Sequence, residues 1–157
     1  MIQIDALPQP EYQPERVLDA LKQAASNELL TCSLYQQVEA QGVGSATLTQ
    51  WARSACDEDW QHYQALLELI DVLETSGIHA LTEAAPALSL PQEPESPAHL
   101  LNRIEEAEKN TVFCQQLICA LTMGYDYKVF DRVYALLNEN IQHNLQVHQY
   151  RINGERT

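Results

Sequence analysis

The sequence predicts an all-α fold, a four-helix bundle running up-down-down-up, on three observations. Asp57-Glu58-Asp59-Trp60-Gln61-His62 returns 81 residues later as Asn138-Glu139-Asn140-Ile141-Gln142-His143. A lone glutamate precedes each copy within a helical run, Glu28 34 residues before His62 and Glu108 35 before His143. A proline-bearing stretch separates the two halves. The repeat is therefore one of helix pairs. Two inward glutamates and two acid-x-x-His pairs, spread over four helices, are the set with which such a bundle holds two metal ions in its core.

Residues 1–13 contain Pro8 and Pro10 among polar residues and show no period, which predicts an extended arm able to pack on a partner subunit. The bundle is expected over residues 14–154. Pro14 suits a first helical turn, and Leu18, Leu21, Ala25, Glu28, Cys32, Tyr35 and Val38 follow at steps of three or four. Glu28 sits in the middle of this apolar seam, where an unpaired carboxylate costs several kcal/mol, so a cation or a basic partner is expected to meet it. Gly42 and Gly44 are expected to end the helix.

The second helix is expected from about Thr47 to Thr75, capped by Ser45 or Thr47, with Leu48, Ala52, Ala55, Asp59, His62, Leu66, Leu69 and Leu73 on its seam. Asp59 and His62 point inward together. Glu58, one position off the seam, still shares a broad face with His62 four residues on and stays open as a ligand. From Gly77 to Glu95, with Pro86, Pro91 and Pro94, the chain must cross the full bundle length, about 40 Å at 1.5 Å per residue, if the second and third helices run the same way.

Ser96-Pro97 is a cap followed by proline at the first helical position, and the third helix is expected to reach about Met123 before Gly124. Its seam is mixed: Leu101, Ile104, Glu108, Thr111, Gln115 and Ile118 share one side, with Ala107, Cys114 and Leu121 adjoining. Glu105 and Glu106 read as solvated charge. Asp126 can cap the fourth helix, whose seam is Val129, Val133, Leu136, Asn140, His143, Val147 and Tyr150. Gly154 is expected to stop it, three residues from the end, so no fifth helix is expected.

Composition narrows the partners. At 157 residues one compact core is expected. Nine Lys+Arg against 22 Asp+Glu give a formal charge of −13, which repels phosphate backbones and anionic membranes and concentrates cations. No nucleic-acid partner and no membrane are expected. Met1-Ile2-Gln3-Ile4-Asp5 lacks the basic start of a signal segment, and the expected location is the cytoplasm. Cys32, Cys56, Cys114 and Cys119 show no CxxC spacing and are expected as reduced, mostly buried thiols that pack as small apolar residues.

Carboxylate oxygens with neutral imidazoles suit iron or manganese. The candidate ligands are Glu28, Asp59, His62, Glu108 and His143, with Asn140 where symmetry asks for a carboxylate. An amide oxygen is a neutral, poorer ligand, so either the second metal has one negative charge fewer or Glu139 swings in from the seam's edge. His79, His99 and His148 lack such a register and read as surface residues.

From about Leu18 to Ile152 the sequence resembles the bacterioferritins and the wider ferritin-like superfamily. Asn27-Glu28-Leu29 with Tyr35 seven after the glutamate, Asp57 to His62, Glu106-Ala107-Glu108-Lys109, and Asp126 to Asp131 followed by Leu137 and His143 carry the likeness. It implies a di-iron centre that oxidises Fe(II) with dioxygen or peroxide. Tyr35 would supply an electron or hydrogen-bond to a ligand, the latter being preferred. Trp60 stands where bacterioferritins carry the haem-ligating methionine, so no haem is expected. Asn140 replaces a bridging glutamate of the family and Asp59 shortens another. Without the fifth helix that helps bacterioferritins close their cage, a homo-oligomer such as a dimer is expected rather than a hollow shell. Three functions compete: a ferroxidase or related oxidase, an iron-storage assembly, and an interaction protein with a degenerate site.

Overall fold

The computed structural model describes residues 11–41, 45–81 and 96–155. They form four helices, α1 (Pro14–Gln41), α2 (Ala46–Thr75), α3 (Pro97–Thr122) and α4 (Tyr127–Glu155). At 26 to 30 residues each is about 40 Å long. Ser45 caps α2 by accepting from the Leu48 N–H at 3.2 Å, Ser96 caps α3 from His99, and Asp126 Oδ1 accepts from the Val129 N–H at the start of α4. Two glycines at positive φ, Gly77 (+89°) and Gly124 (+83°), turn the chain out of α2 and α3, a conformation that strains any residue with a Cβ. The Gly42–Gly44 stop, most of the N-terminal arm and residues 82–95 of the crossover lie outside the described residues.

The helix directions follow from the core. One apolar layer joins the first half of α1 (Leu18, Leu21) to the second half of α2 (Leu66, Leu69), the end of α3 (Ile118) and the start of α4 (Val133). A second joins the end of α1 (Leu34, Val38), the start of α2 (Leu48, Ala52), the start of α3 (Leu100, Ile104) and the end of α4 (Val147). Hence α2 and α3 run opposite to α1 and α4, and the bundle is up-down-down-up. α1 packs on α2 and α3, α3 on α4, and α2 more sparsely on α4, with α1–α4 and α2–α3 as the diagonals. Between the layers, at mid-bundle, the seams of all four helices turn polar.

Two expectations change. Gly154 does not end α4, which runs on to Glu155. Glu105 is buried rather than solvated, because Arg151 Nε and His148 Nδ1 of α4 reach across to its carboxylate, the latter at 2.7 Å. His148, read from sequence as a surface residue, is exposed and makes this contact from the surface. The expected seam residues of α1 and α2 are all buried, which at about 1.5–3 kcal/mol per large apolar side chain holds the polar belt in place.

Candidate metal centre

The polar belt is built from side chains one or two helical turns apart. Glu28, Asp59, Glu108 and Asn140 are fully buried, and His62 and His143 nearly so. Two groups of potential ligand atoms lie close enough to hold a cation each: Glu28, Asp59 and His62, and Asp59, Glu108 and His143. Asp59 belongs to both. Its Oδ1 lies 3.7 Å from His62 Nδ1 and 3.0 Å from His143 Nδ1.

The contacts around these groups cross between the α1–α2 and α3–α4 hairpins. His62 Nε2 donates to Glu139 Oε2 at 2.5 Å, and His143 Nε2 donates to Glu58 Oε2. Each imidazole thus keeps its proton on Nε2 and turns Nδ1 inward, the arrangement that fixes the tautomer of a metal-binding histidine. Glu58 and Glu139, with side chains 49% and 59% exposed, therefore stand behind the histidines as partners. The Tyr35 hydroxyl donates to Glu108 Oε1 at 3.0 Å. At the equivalent place, seven residues after the acid of the other half, Gln115 Nε2 donates to Glu28 Oε1 at 3.1 Å. Asn140 Nδ2 donates to the same Glu28 oxygen at 2.6 Å and to Gln115 Oε1 at 3.0 Å.

What remains is a set of buried atoms with no hydrogen-bond partner among the described residues: Glu28 Oε2, both Asp59 oxygens, His62 Nδ1, Glu108 Oε2, Asn140 Oδ1 and His143 Nδ1. With Nε2 protonated, all of them are lone-pair acceptors. Unmet buried polar atoms cost about 1–3 kcal/mol each, so together they rival the ~5–15 kcal/mol net stability of a domain. Cations or protons must meet them, and the donor set fits hard divalent metal ions.

Without metal, protons take that place. Burial opposes charge on His143, but the Asp59 and Glu108 carboxylates beside it prevail and push it up to about 11. Burial likewise opposes the His62 imidazolium, while Glu28, Glu139 and Asp59 raise it to about 9. Burial raises Asp59 to about 6, helped by Glu28 and opposed by His143. Burial and the charge of Asp59 raise Glu108 to about 7, against His143 and Tyr35.

Every residue singled out in the sequence for the metal lies in this belt. Tyr35 bonds Glu108 of the other hairpin rather than Glu28 of its own. Cys32 belongs to neither ligand group and packs its Sγ 2.8 Å from Cys56 Sγ. Gln115 was missed as a partner of the acids; its signal is the shared spacing of seven that pairs it with Tyr35. The outward glutamates also had a signal, since Glu58–His62 and Glu139–His143 repeat at the same spacing of four.

A four-helix bundle whose two halves converge on a shared carboxylate and two oriented histidines has the arrangement of carboxylate and histidine groups that could hold metal ions in a bundle core. Over 136 residues, 82% of this chain and 73% of the other, it is 30% identical to a DNA protection during starvation protein from Pyrococcus furiosus. The chain belongs to the ferritin-like superfamily. No family model matches it. Solved structures share the fold: a dodecameric thioferritin, the bacterioferritin-related protein of Bacteroides fragilis (TM-score 0.75, 22% identity, 92% of this chain and 89% of that one); a ferritin-like diiron-carboxylate protein of Bacillus anthracis (0.72, 12%, 90% and 99%); and an open-pore ferritin of Archaeoglobus fulgidus (0.66, 16%, 87% and 83%).

Proposed function

We propose that the chain binds two Fe(II) ions, one at Glu28–Asp59–His62 and one at Asp59–Glu108–His143, and oxidises them with dioxygen or peroxide. The observation that carries this reading is the buried set of converging carboxylate and imidazole atoms with no hydrogen-bond partner among the described residues. Each Fe(II) supplies one electron, so a filled pair matches the two-electron reduction of peroxide to water or of dioxygen to peroxide. The chain's own part is to hold and shield: Glu58 and Glu139 fix the imidazoles, Tyr35 and Gln115 each occupy one oxygen of a glutamate and leave the other free, and the apolar layers on both sides exclude water. Manganese fits the same donors.

Iron storage is the second reading, favoured by the ferritins among the structural neighbours and by the dodecamer named for one of them. Exposed Trp60, Phe113 and Tyr127 support assembly into a homo-oligomer. The starvation protein's name speaks of DNA protection. A charge of −13 opposes direct contact with phosphates, so any such role of this chain runs through iron and oxidant chemistry in the cytoplasm.

The test is an anaerobic Fe(II) titration of the metal-free protein, counting ions per chain, followed by admission of air and near-ultraviolet absorbance. Saturation at about two ions with oxidation supports the oxidase reading for a bundle of this ligand set. Uptake far beyond two favours storage, and no uptake removes both.

A further inference from the structure

Resting on that two-metal reading, we propose that the two ion positions are unequal. The Asp59–Glu108–His143 position holds its ion tightly, and the Glu28–Asp59–His62 position binds a second ion weakly and exchanges it. Asn140 and Gln115 set the difference.

The repeat makes Asp59 and Asn140 counterparts, each three residues before a histidine. Asp59 offers two free oxygens to both ion positions. Asn140 instead directs its Nδ2 at Glu28 Oε1 (2.6 Å) and Gln115 Oε1 (3.0 Å). It cannot turn over, because reversal would set its Oδ1 against both of those oxygens with no proton between them. The second bridging carboxylate that symmetry would supply is thus replaced by a hydrogen-bond donor.

The acids are held unequally too. Glu28 Oε1 accepts from two amide N–H groups, whereas Glu108 Oε1 accepts from one phenol. Donors on a carboxylate draw off its electron density and set partial positive charge beside the cation's seat, where the low dielectric of the belt strengthens the repulsion. Asp59 leans the same way, its Oδ1 lying closer to His143 Nδ1 than to His62 Nδ1. Three carboxylates face two divalent ions, so the first ion leaves one negative charge for the second, and the second is held by fewer negative charges than it carries.

The test is calorimetric titration of the metal-free full-length chain with Co(II), which keeps its oxidation state in air, with visible spectra recorded in parallel. The wild type should bind two ions in steps at least about tenfold apart, the scale on which outer contacts tune metal affinity. His143→Ala should lose the tighter step and His62→Ala should keep it. Asn140→Asp, equal in size, replaces the donor by a carboxylate and should tighten the weaker step by roughly ten- to a hundredfold. Gln115→Leu removes one donor from Glu28 and should shift the same step in the same direction; it carries the test if Asn140→Asp does not fold. Two ions of indistinguishable affinity in the wild type, or an unchanged gap in the folded variants, overturns the inequality while leaving the metal site standing. No Co(II) uptake overturns the two-metal reading itself.

Discussion

Glu58 of α2 accepts a hydrogen bond from Nε2 of His143 of α4, although Glu58 lies beside its own helix's histidine in the sequence. The counterpart pair is Glu139 and His62. Each half of the repeat therefore orients the imidazole of the other.

Glu58→Gln weakens this orientation without opening the core, since the side chain is half exposed. The expected result is a loss of about ten- to a hundredfold in affinity for the ion at His143, with an unchanged circular dichroism spectrum. Glu139→Gln should do the same for His62. A titration unaltered in both variants would show that the glutamates do not set the histidine tautomer.

The pH dependence of the metal-free protein has a definite sign. His62 and His143 are raised from 6.5 to about 9 and 11, so their contribution is complete below pH 6.5 and fades as pH rises through those values. Asp59 and Glu108, raised from 3.8 and 4.5 to about 6 and 7, favour the folded state when protonated and lose that contribution as pH rises through 6 and 7. All four act in one direction. Metal competes with these protons, so the rise in Tm caused by Mn(II) should grow from pH 5.5 to pH 8.5. Calorimetry in two buffers of different ionisation enthalpy should record about one proton released per filled site at neutral pH, from the imidazolium, with roughly half a proton more at the His143 position from Glu108. A Tm increment independent of pH would contradict this account.

Tyr35→Phe leaves Glu108 Oε1 without its donor in a fully buried place. A loss of about 1–3 kcal/mol is expected in the metal-free protein, read by urea denaturation. Filling the site with metal should recover part of it. An equal loss with and without metal would mean that the hydroxyl serves the fold and not the metal site.

Glu105→Gln separates structural from metal-site effects. Burial opposes the Glu105 charge, yet Arg151 and His148 hold its carboxyl below the ordinary range. Neutralising it should cost about 1–3 kcal/mol of stability and leave metal stoichiometry untouched. A change in the number of ions bound would connect this cluster to the centre.

How much of this is legible in the sequence depends on what periodicity can carry. Steps of three and four assign each residue to a face of its own helix, and that is enough to bring Glu28, Asp59, His62, Glu108, Asn140 and His143 to the axis of the bundle. Periodicity carries no information about which residue of another helix stands opposite. Glu58 therefore reads as a marginal ligand, although its partner is 85 residues away. Glu105 reads as surface because the side chains that cover it, Arg151 and His148, belong to α4. Gln115 sits in the mixed seam of α3, where an amide between apolar residues has no evident purpose until Glu28 and Asn140 are seen beside it.

The crossing of contacts between hairpins bears on the order in which the protein comes together. α1–α2 and α3–α4 are each local in sequence and can form early, while docking one on the other must close a long loop. The first hairpin already carries Glu28, Asp59 and His62, but the groups that steady its histidine and glutamate, Glu139, Gln115 and Asn140, arrive only with the second. A metal ion that favours the finished arrangement therefore rewards docking and not the hairpins themselves. Scarcity of metal would act on this chain as a folding stress, slowing or reversing its last step before any activity is measured.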